Sequence, residues 1–100
     1  MKVIVDDAGT PSGNFTADAV IIEGAGILKQ VIVNTDGTND ATLVLYDGRA
    51  AEGKVVWEGT CLGPNKTGTD YPNRRFERGL YGDITTDGTM KYNVSYVMGR

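Results

Sequence analysis

The sequence contains no histidine and only one cysteine, Cys61. Without histidine there is no imidazole to serve as general base beside a serine or cysteine nucleophile, and no imidazole ligand for zinc. One cysteine cannot close an intrachain disulfide or build a thiolate cage around a metal. These absences favour binding or scaffolding over catalysis, so we expect no enzyme activity, no cofactor and no bound metal. Cys61 is expected to be a small, half-buried and inert residue.

Long apolar runs and an excess of basic charge are also missing. The longest apolar runs fall far short of the roughly 20 residues that cross a bilayer. The run 3–5 is shorter than the core of a secretion signal, which needs about 7 to 15 apolar residues. The formal net charge is −3, whereas a general nucleic-acid binder presents a basic surface to the phosphates. We therefore expect a chain made in a cytosol, with neither nucleic acid nor membrane as its partner.

Glycine, by contrast, is abundant, with 14 residues against 3 prolines. From residue 15 onward, β-branched and aromatic runs alternate with Gly, Asn and Asp clusters about every 8 to 12 residues, which is typical of an antiparallel sandwich or barrel. The sequence predicts an all-β fold, an antiparallel β-sandwich or jelly roll of about eight strands with an extended N-terminal arm. Residues 1–14 are the predicted arm, and residues 15–100 are a single β-sandwich domain.

The predicted strands differ in how well their two faces are defined. Segment 41–46 is apolar on both faces, so we expect both of its sides to be covered, as in a sandwich centre or an assembled surface. In segment 54–59, Val55 and Trp57 are predicted to share a face, with Trp57 as a core anchor. Residues 63–73 are predicted to be a long polar loop that is functional or ordered by a partner. The remaining predicted strands are 15–23, 27–33, 74–77, 80–85 and 91–98.

The densest charge cluster is the segment 74–78. Strand alternation places Arg74, Phe76 and Arg78 on one face and the two residues between them on the other. One interpretation is an Arg-rich contact to an acidic partner surface; the other is an edge strand protected by charge. The predicted partner-binding residues are Val3, Ile4, Val5, Tyr71, Arg74, Arg75 and Arg78.

Three other kinds of site have weaker support. Segment 34–40 carries several side-chain oxygens, but its spacing differs from that of an EF-hand loop, so a turn is the favoured interpretation. A carboxylate pair for glycoside hydrolysis has no separation set by the sequence; its candidates are Asp47, Glu52, Glu58 and Asp83. A carbohydrate platform would expose Trp57, Tyr71 and Tyr81.

Four segments resemble small structural proteins of tailed bacteriophages. They are 41–46, Val55-Val56-Trp57-Glu58-Gly59, Arg75-Phe76-Glu77-Arg78-Gly79-Leu80-Tyr81-Gly82-Asp83-Ile84 and 92–97. The likeness lies in the succession "strand, Asp-Gly, strand" and in the Arg-Phe-Glu-x-Gly-Leu-Tyr segment, and it covers residues 27–98. It implies a β-sandwich or jelly-roll subunit of the virion with no catalytic residue.

The resemblance also implies a role and partners. The closest analogy is a capsid cement or decoration protein that binds the lattice of the major capsid protein and locks its subunits together. A tail, connector or adaptor position stays open, with another virion protein as the partner. We expect a homo-oligomer, a trimer or a dimer, made in the bacterial host cytoplasm and resident in the virion. The competing interpretation is a carbohydrate-binding β-sandwich module, and the exposure of Trp57 distinguishes the two.

Overall fold

The computed structural model describes residues 10–99, which form nine antiparallel β-strands and one turn of 3₁₀ helix. The predicted contact residues Val3, Ile4 and Val5 lie outside the described residues. Within residues 10–99, no helix is long and apolar enough to span a membrane. The strands are β1 Thr10–Pro11, β2 Ala19–Glu23, β3 Gly26–Thr35, β4 Ala41–Tyr46, β5 Val55–Cys61, β6 Thr67–Asp70, β7 Arg74–Phe76, β8 Gly79–Thr86 and β9 Met90–Met98; the 3₁₀ helix is Gly63–Asn65.

The strands form two sheets that pack face to face. One sheet has the order β1-β9-β3-β6, with β7 also paired to β3, and the other has the order β2-β8-β4-β5. Strands β6 and β7 lie end to end along the same side of β3, so together they occupy the place of one strand. Counted in this way, each layer has four strands and the order is that of a jelly roll. The predicted all-β sandwich is confirmed.

The core lies between the sheets and is built by alternation along the central strands. In β4, Ala41, Leu43 and Leu45 are fully buried, while the residues between them are half-buried. Within the chain, only one side of segment 41–46 is therefore closed off from water. The expectation of a sandwich centre is wrong, and coverage of the other side by an assembly stays a prediction. The opposite sheet contributes Leu28, Val31, Val33, Tyr92 and Val94 to the same core.

Tyr92 joins the core to the chain before β2. Its ring stacks on that of Phe15, with 5.5 Å between the centroids, and its hydroxyl donates a 2.9 Å hydrogen bond to the carbonyl of Ala17. Burial, followed by the nearby carboxylates and Tyr81, raises the pKa of Tyr92 to about 12. Segment 15–23 is not one continuous strand as predicted, since Phe15 forms an isolated bridge to Tyr92 and β2 begins only at Ala19.

A β-bulge in β5 changes the faces expected there. Val55 pairs with Tyr46 and is 39% exposed, whereas Val56 is 2% exposed. Trp57 pairs with Leu45 and packs against the core. The prediction that Val55 and Trp57 share a face is wrong, because the extra residue between them reverses the alternation. The prediction of Trp57 as a core anchor is confirmed.

Segment 63–73 is not the long loop predicted from its polarity. It contains the 3₁₀ helix and then β6, which pairs with β3 from Val31 to Asn34. The carboxylate of Asp40 accepts a 2.9 Å hydrogen bond from the backbone N–H of Gly63 and fixes the start of the helix. An edge strand such as β6 is held by backbone pairing to one neighbour, so its Thr-Gly-Thr-Asp sequence needs no apolar periodicity.

Candidate binding surfaces

A continuous row of apolar and aromatic side chains crosses the outer face of the four-stranded sheet. The register places Val20 beside Tyr81, Tyr81 beside Tyr46, and Tyr46 beside Val55. Both valines are 39% exposed and both tyrosines are half-buried. We call these four residues the tyrosine row. A sheet face that meets only water is normally polar, so the row is a candidate contact surface.

Two polar rows complete this face. Val44 lies between Asp83 and Glu58, and beyond it Thr42 lies between two further threonines of the neighbouring strands, Thr60 and Thr85. The hydroxyls of Thr42 and Thr60 are 2.8 Å apart and share a hydrogen bond. The face therefore changes from aromatic to charged to hydroxyl-bearing along the strands. Such a mixture around exposed tyrosines is typical of protein interfaces.

The carboxyl groups of Asp18 and Asp83 lie together on the β8 side of this face. Asp18 accepts a 2.8 Å hydrogen bond from the backbone N–H of Ile84. The pKa of Asp83 is raised, first by partial burial and then by the charge of Asp18 and a hydrogen bond to it. Asp83 is one of the four candidates for a carboxylate pair in the sequence, but Asp18 is not, because the two residues lie far apart in the chain. The pair lies on the outer side of the sheet and outside the edge cleft described below.

Two of the predicted partner-binding residues lie on the outer side of the five-stranded sheet. Tyr71 is 67% exposed, and its hydroxyl accepts a 3.3 Å hydrogen bond from the side chain of Gln30. Arg75 lies beside Ile27 in the sheet and donates a 2.7 Å hydrogen bond to Glu77. Tyrosine and arginine beside an apolar residue are the usual components of an interface centre. This surface is opposite to the tyrosine row.

The other two predicted residues, Arg74 and Arg78, lie elsewhere. Arg74 shares the inward side of β7 with Phe76, as predicted, and donates a 3.3 Å hydrogen bond to the carbonyl of Val56 in the other sheet. Arg78 lies beyond the end of β7, in a turn where its backbone N–H and that of Glu77 donate to the carboxylate of Asp47. The prediction of Arg78 on the Arg74 face is wrong, because the strand ends at Phe76. The four described candidates do not form one surface.

At one edge of the sandwich, β5 of one sheet faces β6 of the other across a small cavity. The indole of Trp57 lies over Gly59 and donates a 2.7 Å hydrogen bond to Asp70 of β6. Glycine occupies an inward position on each side, Gly59 in β5 and Gly68 in β6. Neither position adds a side chain of its own to the space that the Trp57 indole borders. A cavity of about 140 Å³ remains. We call it the edge cleft; Val31, Val33, Trp57, Gly59, Cys61 and Gly68 line it.

The thiol of Cys61 lies in the wall of the edge cleft. The residue is 7% exposed, so it is more deeply buried than the half-buried position expected. Burial raises the pKa of Cys61, and the negative charge of Asp40 raises it further. The thiolate is the reactive form of cysteine, so the thiol is held in its unreactive form at neutral pH.

The polar segment 34–40 forms a turn organised around Asp36. Its carboxylate accepts hydrogen bonds from the backbone N–H groups of Thr38 and Asn39, from the Asn39 side chain and from Thr89. Four N–H donors occupy the oxygens that a calcium ion would need, which agrees with the turn interpretation. The residues from 10 to 99 contain no group of three or more Cys, Asp or Glu side chains arranged to hold a metal ion.

The tyrosine row was predicted only in part, as an outward face of segment 41–46 that an assembly would cover, and the edge cleft was not predicted. The signal for the row was present, since segment 41–46 is apolar at outward as well as inward positions. The edge cleft depends on two glycines that are close in space but not in sequence, and no local pattern shows this. Comparison with protein-family models, curated proteins and solved structures finds no match to this chain.

Proposed function

We propose that this chain is a non-enzymatic structural protein of a tailed-bacteriophage virion, a cement protein that binds the major capsid lattice. The observation that carries the proposal is the tyrosine row on the outer face of a jelly-roll sandwich. Jelly rolls form the building blocks of many viral capsids, although fold alone does not determine function. The proposed location is the virion, after synthesis in the host cytoplasm.

The tyrosine row supports this role through its shape and chemistry. Tyr46 and Tyr81 lie on central strands and are flanked by Val20 and Val55, so the contact is flat and held on a rigid sheet. A rigid tyrosine loses little conformational entropy when it is buried in an interface. In an icosahedral shell each contact is repeated many times, so modest individual contacts sum to strong attachment.

The opposite face supports a second contact. Tyr71 and Arg75 are exposed there on the other sheet, so a neighbouring virion subunit can be reached from the far side of the sandwich. A cement protein must touch more than one subunit in order to hold them together. We propose the tyrosine row as the attachment to the major capsid protein and the Tyr71–Arg75 area as the contact to a neighbour.

The carbohydrate-binding alternative depends on an exposed aromatic platform. Trp57 packs against the core with its N–H bonded to Asp70, and Tyr71 and Tyr81 lie on opposite faces of the molecule. These three aromatic side chains therefore do not line one surface. The arrangement favours the virion proposal over the carbohydrate module.

The direct test is electron cryomicroscopy of purified particles of the phage that carries this sequence. The proposal expects density for the sandwich at regular positions on the capsid lattice, with the tyrosine row against the shell. Density at the tail or the connector would keep the virion role and overturn the cement role. Absence of the chain from the particle would overturn both.

A binding assay on shells that lack the chain then tests the contact surface. Tyr81→Ser is expected to weaken binding by about tenfold or more, the loss typical of a central interface residue. Thr85→Ala, on the same strand and face but outside the row, is the matched control and should weaken binding much less than Tyr81→Ser. Equal binding by both variants would remove the tyrosine row as the attachment surface.

A further inference from the structure

Strand β5 has a free backbone edge beside the edge cleft. Within residues 10–99, β5 pairs with β4 on one side and forms no backbone hydrogen bond on the other. The carbonyl of Val56 points toward this free edge, since it accepts the hydrogen bond from Arg74. Because alternate residues of an antiparallel strand present their N–H and C=O groups to the same edge, Glu58 and Thr60 present theirs there as well. An added strand can therefore pair with β5.

The residue that such a strand places opposite Gly59 would enter the edge cleft. Residues directly opposite one another on paired strands point to the same face of the sheet, and Gly59 faces inward. The cavity of about 140 Å³ is close to the roughly 150 Å³ cavity that accepts a benzene ring in another protein. It has room for an aliphatic side chain such as valine.

The sequence contains one segment whose apolar and charged residues fit this edge in a single register. If Val3 lies opposite Gly59 in an antiparallel pair, Val5 also faces inward, opposite Trp57. Lys2 then lies diagonally across from Glu58, within reach of its long side chain. At the other end of the edge, Asp6 comes opposite Val56. The Arg74 side chain bonds the Val56 carbonyl, so Asp6 lies near a positive charge. Asp7 comes beside a second positive charge, that of Lys54.

We propose that residues 2–7 of a second copy of this chain add as a strand to the free edge of β5 and insert Val3 into the edge cleft. A second copy is the donor because β1, at Thr10–Pro11, lies at the far edge of the five-stranded sheet from β6. Reciprocal exchange gives a twofold dimer, and exchange in one direction closes a ring such as a trimer. The resemblance implies a homo-oligomer, and this strand exchange specifies how its copies would be joined without any contact to the capsid.

The test is the mass of the full-length chain in solution, measured by light scattering at increasing protein concentration. The expected mass is at least twice the 10.7 kDa of one chain. Val3→Asp removes the apolar group and Gly68→Val fills the cleft, so each should give a monomer. A Cβ at position 68 would be 3.4 Å from the Cys61 sulfur, which is an ordinary contact. Thermal melting checks that both variants are folded, and Thr67→Val, outward on the same strand, should keep the parent mass.

A charge exchange tests the register. Lys54→Asp and Asp7→Lys should each weaken association by about tenfold, and the double variant should recover it, as coupled charges do in a double-mutant cycle. An excess of a synthetic peptide of residues 1–9 should dissociate the oligomer and change the emission of Trp57, the single tryptophan. A chain that is monomeric at every concentration, or an oligomer that persists in both Val3→Asp and Gly68→Val, would overturn the proposal. The proposed attachment to the shell rests on the tyrosine row and is tested by the separate binding assay, so its failure and the failure of this proposal are distinguishable.

Discussion

The indole N–H of Trp57 and the carboxylate of Asp70 are joined by a 2.7 Å hydrogen bond that connects the two sheets of the sandwich. Trp57 belongs to β5 and Asp70 to β6, and the backbones of these strands do not pair with each other. A second cross-sheet hydrogen bond runs from Arg74 to the carbonyl of Val56. Together the two bonds hold the sandwich closed at this edge and leave the edge cleft between β5 and β6.

Removal of either partner of the Trp57–Asp70 bond should loosen this edge. We expect Asp70→Ala to lower the free energy of unfolding by about 1 kcal/mol, below the range for buried charged hydrogen bonds because Asp70 is exposed. Trp57 emission should shift to longer wavelength as the ring gains water. Trp57→Phe removes the same bond, so the double variant should lower the free energy of unfolding by less than the sum of the two single changes. Strict additivity in urea unfolding would contradict a direct bond.

Gly63 is expected to tolerate no side chain. A Cβ at this position would overlap the backbone carbonyl of Thr38, and backbone cannot move aside as a flexible side chain can. We expect Gly63→Ala to destabilise the fold by about 2 kcal/mol or more, in the range of overpacked core sites. Leu62→Ala is the neighbouring control, because Leu62 is 53% exposed. Thermal melting of the two variants gives the comparison, and equal melting temperatures would contradict the expected overlap.

Asp36 should make the stability depend on acid pH. Its hydrogen bonds, led by that from the Asn39 side chain, hold the pKa of Asp36 well below its usual value of 3.8. A carboxyl group with a lowered folded pKa stabilises the fold above the unfolded value, and this contribution is lost as the pH falls below it. Asp36→Ala should therefore be less stable than the parent chain at pH 7, and the difference should shrink as the pH falls below 3.8. Urea unfolding of both chains from pH 7 to below pH 3.8 measures the difference in stability. A difference that stays constant over this pH range would argue against the lowered pKa.

Ionisation of Asp83 should lower the stability of the fold, whereas ionisation of Asp36 raises it. Partial burial and the neighbouring Asp18 raise the pKa of Asp83 above its usual value, so its ionised form is less favourable in the folded chain than in the unfolded one. This unfavourable contribution is fully present at pH above the folded pKa and disappears as the pH falls toward the unfolded value. Asp83→Asn should therefore stabilise the protein at pH 7, and the gain should vanish in acid. Stabilisation that is equal at both pH values would point to a cause other than ionisation.

Much of the fold could be predicted from local sequence. Segment 41–46 forms a strand with the predicted bounds, because its β-branched and aliphatic residues are followed by an Asp-Gly turn. Segments 80–85 and 91–98 were each predicted to within one residue of the observed ends, since their alternation has a clear period of two. Edge strand β6 was missed, because its stability comes from the backbone of β3 and not from an apolar pattern of its own.

The surfaces required the tertiary structure. The sequence by itself determined a β-rich chain without histidine, with turns at fixed spacings and a strand that is apolar on both faces. Only the folded chain decided which face of that strand meets water, because this depends on which sheet covers the other. The fold also separated Arg78 from Arg74, brought Asp18 to Asp83 and placed Gly59 across from Gly68. These relationships join residues from different strands, so they arise from sheet register and packing, which local alternation does not specify.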